Sequence, residues 1–168
     1  MLALSLFHGS NQIVEKPIIM NRFKTLDFGK GFYTTTNREQ AEDFALKVFK
    51  RRKFAGTPIV NCYEFSVNLE EFKVLKFDSP NEDWLDFVVD RRKGIELEQK
   101  YDLIIGPVAN DDVFGTIVLY ETGELDKEGA IKKFKVKPLY TQYLFRNNLI
   151  LQKLIFVNSY EVGKKNEN

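Results

Sequence analysis

Hydrophobic residues along the chain follow two spacings, and the switches between them mark its elements. Runs rich in β-branched and aromatic residues predict strands at "LALSLFHG", ending at Gly9, and at "GFYTT", "PIVNCYEFSV", "EFKVLKF", "YDLIIGPV", "TQYLF" and "LIFVNSYEV". Elsewhere the spacing is helical. Ala41, Phe44, Ala45 and Val48 recur at i, i+3, i+4 and i+7, which predicts one buried face. Asn37 stands where an N-cap is needed, with Gln40 three residues on to complete a capping box. A second helix is predicted in "SPNEDWLDFVVDRRKG". Ser79 is its expected N-cap, Pro80 its first residue and Glu82 the closing member of a capping box. Trp84, Phe87 and Val88 face the core, and Gly94 ends the helix. "NDDVFGTIVLYETG" carries mixed signals. An Asn110 cap with Asp111 and Asp112 favours a helix start, while Thr116 to Tyr120 favours a strand; we read it as a helix. Strands and helices do not alternate regularly. The predicted fold is therefore α+β, with split mixed or antiparallel β-sheets and flanking helices, rather than a doubly wound one. Residues 1–160 are expected to form one domain and residues 161–168 a disordered tail.

Composition narrows this picture. A chain of 168 residues that is 43% hydrophobic can bury a core of its own. A net charge of +1 provides no global field for nucleic acid or anionic lipid. The basic runs Lys47, Lys50, Arg51, Arg52, Lys53 and Lys132, Lys133, Lys135, Lys137 read as solvated faces. Cys62 is the single cysteine and lies in an apolar run, so it is expected as a buried thiol in a reducing compartment. One cysteine and one histidine make a zinc site unexpected, and no metal is anticipated. "MLALSLF" lacks a basic n-region and a cleavage signal, and no apolar run approaches the roughly 18 residues of a membrane helix. A cytoplasmic protein with no membrane partner is expected.

The candidate chemistry sits near the start. In "DFGKGFYTTTNREQAEDFA", Gly29, Lys30 and Gly31 precede an aromatic pair, Phe32 and Tyr33. The stretch has neither the G-x-x-x-x-G-K-[ST] spacing of a P-loop nor the G-x-G-x-x-G of a dinucleotide fold. Rings beside a tight glycine turn suggest a flat ligand rather than a phosphate alone. His8, the only histidine, lies at a strand end before Gly9, a residue that lets a ligand approach the backbone.

Taken together, "FHGS" and "FGKGFYTT" followed by an amphipathic helix resemble the ADP-ribosyltransferase superfamily, in particular the poly(ADP-ribose) polymerases. His8, Gly9 and Ser10 match the first motif; Phe28, Gly29, Lys30, Gly31 and Tyr33 match the second. The chain is also similar to a family of small, uncharacterised bacterial proteins that share "HGS", "DFGKGFY" and "GPVANDDV", over about Leu4 to Phe156.

The resemblance implies an NAD-dependent mono-ADP-ribosyltransferase, acting as a toxin or defence effector on an intracellular protein or nucleic acid, with an antitoxin protein as a further partner. NAD would be its co-substrate. In this reading the Gly9 backbone holds the nicotinamide carboxamide, with Ser10 and Gly31 beside it, and His8 donates to a ribose hydroxyl. Tyr33 and Phe44 stack on either side of the nicotinamide, and Arg22 pairs with the pyrophosphate. A glutamate usual on a late strand of this fold is replaced by Gln142, which can bond a ribose hydroxyl but cannot stabilise positive charge. That departure argues against poly(ADP-ribose) elongation and leaves Asp111, with Asp112 beside it, to supply an acid. The alternative is a catalytically weak NAD-binding or interaction module of the same fold. A 2′-phosphotransferase would want an arginine pocket, and Arg22, Arg38 and Arg146 form no recognisable motif for one.

Overall fold

The structure is a computed structural model describing residues 3–19, 28–108, 111–135 and 139–163, with the side chains of Asp111 and Asp112 outside that description. It contains β1 (Leu4–Ser10), β2 (Phe32–Thr35), α1 (Arg38–Arg51), β3 (Ile59–Phe65), β4 (Val74–Lys76), α2 (Glu82–Arg92), β5 (Leu103–Pro107), α3 (Asp111–Glu121), α4 (Lys127–Phe134), β6 (Thr141–Phe145), α5 (Asn148–Leu151) and β7 (Leu154–Glu161). The fold is α+β, as the patterning predicts. The strands form one seven-stranded sheet in the order β4-β5-β6-β2-β1-β3-β7. Only the β4–β5 pair is parallel; the other five pairs are antiparallel.

That sheet is nearly two. β1 pairs with β3 over all seven of its residues, and β2 with β6 over all four of its own. Between β1 and β2 the only registered pair is Phe7 opposite Thr35. The split expected from the sequence thus lies between these two strands, as a seam bridged at one position.

Side-chain alternation sends the two faces of the sheet to different cores. On one face Phe28, Ile104 and Leu144 pack with Trp84, Leu85 and Val88 of α2, Val113 and Ile117 of α3, and Ala130 and Phe134 of α4. α1 covers the other end of the same face, placing Ala41 and Ala45 over Phe7, Val60 and Cys62. The opposite face carries Leu6, Phe32, Tyr63, Phe65, Leu103, Ile105 and Phe145, closed by Ile150 and Leu151 of α5. Polar contacts tie α2, α3 and α4 together. Asp86 accepts from Lys127 Nζ and from Tyr120 Oη, each at 2.8 Å. Burial pushes the Asp86 carboxyl up, but the bonds from Lys127 and Tyr120 outweigh it and hold it below its ordinary range.

Several local expectations shift. Asn37 caps α1, its side chain accepting from Gln40 N at 2.9 Å, but Gln40 Oε1 is buried without a partner, so only half of the capping box forms. α2 starts later than expected. Asn81 rather than Ser79 is its N-cap, accepting from Trp84 N at 2.9 Å, so Pro80 precedes the helix and Glu82 opens it. Ser79 instead closes a turn through its carbonyl, which accepts from Asn81 N at 2.8 Å. In "EFKVLKF" only Val74–Lys76 is strand, after a 3₁₀ turn at Leu69–Glu71. α3 is helical as read; the Asn110 cap lies outside the described residues. α4 and α5 were not anticipated. Asp126 and Asn147 cap them, accepting from Gly129 N and Ile150 N. Glu161, assigned to the tail, belongs to β7, and Val162 N donates to Pro58 O at 2.8 Å. Among the described residues no helix is long and apolar enough to cross a membrane.

Candidate functional site

The seam brings the two sequence motifs together. Past Phe7, β1 and β2 have no further registered pair, and the His8 ring occupies the opening. His8 Nδ1 lies 2.7 Å from the backbone carbonyl of Tyr33. The ring also stacks on Phe32, with centroids 4.2 Å apart and planes 28° from parallel. Burial lowers the His8 pKa from 6.5 to about 4, against the opposing pull of the Tyr33 carbonyl, so the ring is neutral at physiological pH. A carbonyl can only accept, so the proton sits on Nδ1, and Nε2 of the neutral ring is an acceptor. His8 is therefore set to accept a hydroxyl proton, not to donate one as the sequence reading had it.

Asn61 steadies the segment after β1. It is fully buried in the middle of β3. Its Oδ1 accepts from Val14 N at 2.8 Å, and its Nδ2 faces the carbonyls of Gln12 at 3.2 Å and His8 at 3.4 Å. Sequence reasoning passed over this residue, although an amide inside the apolar run "PIVNCYEF" was a usable signal.

Gly9 has a packing role that the sequence reading did not foresee. A Cβ there would stand 2.2 Å from Ala41 O and 2.6 Å from Ala45 N, so glycine lets the backbone of α1 lie directly on β1. Gly31 is constrained as well. Its φ is +156°, and a Cβ would meet Phe145 O and Leu144 Cδ1, each at 2.5 Å. Phe44, three residues after Ala41 and next to Ala45 on α1, is 39% exposed rather than buried, with the Arg51 guanidinium 5.8 Å from its ring centroid.

Strand registry decides which side chains share a face. Phe7 is opposite Thr35, Thr35 opposite Gln142 and Gln142 opposite Gly106. Tyr33, Thr35 and Gln142 thus face the same side as α1, and Tyr143 the other side. Gln142 was expected to share one side with both His8 and Tyr33. It shares that side with Tyr33 only, because His8, adjacent to Phe7, leaves the sheet on the Phe32 and Tyr143 side. The Tyr33 hydroxyl is engaged locally: it donates to Gly29 O and accepts from Phe28 N at 3.2 Å, which pins the glycine loop to β2. Gln142 is buried, and its Nε2 reaches the Pro107 carbonyl at 3.5 Å, the same oxygen that accepts from Trp84 Nε1 at 3.0 Å.

His8, Gly9, Ser10, Gly31 and Tyr33 are thus gathered around the seam. Phe44 is on the helix that flanks it, and Gln142 is one strand further on. Asp111 opens α3, four residues beyond the end of β5; its side chain and Arg22 lie outside the described residues. Among the described residues no group of three or more His, Cys, Asp or Glu is placed to hold a metal ion. Cys62 is buried under α1, and burial raises its thiol pKa, as suits an unreactive core thiol.

A family model described as "Protein of unknown function (DUF3990)" matches residues 4–156. No curated protein and no solved structure matches the chain.

Proposed function

The chain belongs to the DUF3990 family, and we propose that it is an NAD-dependent mono-ADP-ribosyltransferase whose site is the seam between β1 and β2. The observation that carries this reading is the opening of the ladder at His8, with the "HGS" and "FGKGFY" motifs on its two sides. A strand edge released from pairing can bond a ligand amide, and Gly9 offers it next to the His8 ring. On the α1 side Tyr33 and the exposed Phe44 supply rings for a planar nicotinamide. Through the seam, His8 Nε2 accepts from a ribose hydroxyl and fixes the sugar.

In the reaction the bond between nicotinamide and ribose C1′ breaks, and the leaving group keeps the electron pair. An acceptor lone pair bonds to C1′, and the acceptor loses a proton. Gln142 orients the 2′-hydroxyl without stabilising the positive charge that develops. Positioning by the seam therefore carries more of the catalysis than electrostatics does. Asp111 is the candidate to take the acceptor proton.

The test is incubation with NAD labelled on the adenylate, with and without cell lysate, beside calorimetric titration of NAD. The expected result is transfer of label to a macromolecule, identified by protease or nuclease digestion. His8→Ala should abolish both binding and transfer, and Gln142→Ala should lower transfer more than binding. A folded parent that neither binds nor consumes NAD would sink the reading. The second reading, an NAD-binding module without turnover, is favoured by the commitment of the buried Gln142 amide to Pro107. Binding without consumption would select it.

A further inference from the structure

The two basic runs of the chain differ in three dimensions. In the run on α4, Lys132 pairs with Glu128 at 2.8 Å. In the run that ends α1, each of Lys47, Lys50, Arg51, Arg52 and Lys53 is exposed, and no Asp or Glu stands between Asp43 and Glu64 in the sequence. Among the described residues Lys50, Arg51, Arg52 and Lys53 take part in no ion pair. Arg51 lies instead against the Phe44 ring.

The chain then holds a phenylalanine out in solvent on a strained backbone. Lys53 and Phe54 have φ of 55° and 61°, and among the described residues they are the only non-glycines in the left-handed region. One such residue is ordinary just past a helix, where glycine usually stands; a bulky ring as the second is not. Backbone bonds fix the turn: Lys53 N donates to Lys50 O at 3.0 Å, Phe54 N to Phe49 O at 2.9 Å and Ala55 N to Arg52 O at 3.1 Å. These bonds draw Lys50 and Arg52 up against Lys53 and Phe54. Asn11, the residue after β1, anchors the far end. Its Nδ2 donates to Ala55 O and its carbonyl accepts from Thr57 N, each at 3.0 Å. Gly56 lies so close to that carbonyl that a Cβ would stand 2.2 Å from it. The Phe54 ring meets Phe49 edge to face at 5.3 Å and is still 66% exposed.

The helix dipole accounts for cations in the last turn of α1. It does not account for a strained backbone whose side chain gains so little burial, and strain of that kind marks a contact with something else. A fixed, open ring among Lys50, Arg52 and Lys53 matches a polyanion that carries flat apolar groups. Single-stranded nucleic acid is such a polyanion, with phosphates for the cations and an unstacked base for the ring. A duplex hides its base faces, and an acidic peptide answers the charges but not the ring. A lipid surface fits poorly, because the apolar face of α1, with Ala41 and Ala45, is already packed on Phe7, Val60 and Cys62.

We infer that the last turn of α1 and the loop through Phe54 bind single-stranded nucleic acid, with Phe54 stacked on a base and Lys50, Arg52 and Lys53 on the phosphates around it. The binding needs no NAD, so it is tested apart from the transferase reading; where both hold, Asn11 sets this surface beside the "HGS" end of the seam.

The experiment follows the fluorescence anisotropy of a labelled, mixed-sequence single strand of about twelve nucleotides, made as RNA and as DNA, titrated with the full chain without NAD. Binding should occur at low salt and weaken as salt rises. Phe54→Asn, which suits a left-handed backbone but lacks the ring, should weaken binding about tenfold, and Phe54→Trp should keep it near that of the parent. Lys50→Gln with Arg52→Gln should reduce the slope of log affinity against log salt by about 1.4, from two phosphate contacts at about 0.7 each. These side chains are exposed, and circular dichroism checks that the variants fold. No binding by the parent at low salt overturns the site, and so does unchanged binding in both Phe54→Asn and the double variant. Equal affinity for a duplex of the same sequence overturns the stacked base. Displacement by poly-glutamate as readily as by unlabelled single strand assigns the surface to an acidic protein, and tighter binding to phosphatidylserine vesicles assigns it to a membrane; either overturns the proposal. A parent that binds the strand without consuming NAD upholds this inference while the transferase reading fails.

Discussion

The two ends of the sheet are held by different means. Under α2, α3 and α4 the core is built from volume: Trp84, Leu85, Ile117 and Leu144 are all fully buried, and Trp84 meets Phe134 edge to face at 5.5 Å. Under α1 there is little volume, only Phe7, Val60, Cys62 and two alanines, and the helix lies against the strand because Gly9 has no side chain. That end also keeps apolar side chains in water, with Ile155 64% and Val157 50% exposed on the edge strand β7. The large core can lose atoms and collapse around the gap, whereas the α1 contact has no slack. The candidate site lies between them, where one end supplies stability and the other a close backbone approach that fixes geometry.

The comparison can be broken hardest at its large end. Trp84→Ala removes the biggest fully buried side chain and the indole bond to Pro107, and should cost about 3–5 kcal/mol in urea unfolding. A loss under about 1 kcal/mol would mean that this core does not dominate stability. At the other end, Gly9→Ala puts a methyl into the backbone of α1. It should cost about 1–3 kcal/mol, typical of overpacking, and should raise amide exchange in α1 before it does so in α2. Exchange rising equally in both helices would show that the two ends are not separable.

Acidity sharpens the contrast at the seam itself. The folded-state pKa of His8, about 4, lies below its ordinary 6.5, so the unfolded chain takes up the proton first as pH falls. Stability is fully present above pH 6.5, declines as pH drops toward about 4 and levels off below that as far as His8 is concerned. His8 is partly exposed, so the slope should stay below the roughly 1.4 kcal/mol per pH unit that one proton sets. Unfolding curves of the parent and His8→Phe across this range test it. Parallel pH profiles would mean that His8 titrates normally. The smallest effect is expected at Gly115 in α3, where a Cβ would meet nothing within 4 Å. Gly115→Ala should stabilise by up to about 1 kcal/mol through helix propensity, with no change at the seam.

Much of the architecture was legible because its causes are local. Seven strands followed from β-branched and aromatic runs, and Asn37 and Gly94 mark helix ends through chemistry that acts within one turn. α4 and α5 escaped because their sequences resemble solvated loops. Their helicity depends on seating Ala130 and Phe134, or Ile150 and Leu151, in cores that other segments supply. Ser79 lost the capping role to Asn81 because two side chains suited to capping stand two residues apart, and the docking of Trp84 chooses between them.

For the site, the sequence by itself determined which residues could do chemistry and how each alternates with its own neighbours. Tyr33 had to oppose Phe32, and Gln142 had to oppose Tyr143, whatever the tertiary structure. Only the tertiary structure decided how those alternations align between strands. The single pair Phe7–Thr35 places His8 on the Phe32 side and Tyr33 with Gln142 on the α1 side, and slipping that pair by one residue would reverse the relation. The protonation of His8 was also decided in three dimensions. Burial keeps the ring neutral and the Tyr33 carbonyl holds Nδ1–H, so Nε2 is an acceptor. The desolvation behind this comes from strands and helices distant in sequence.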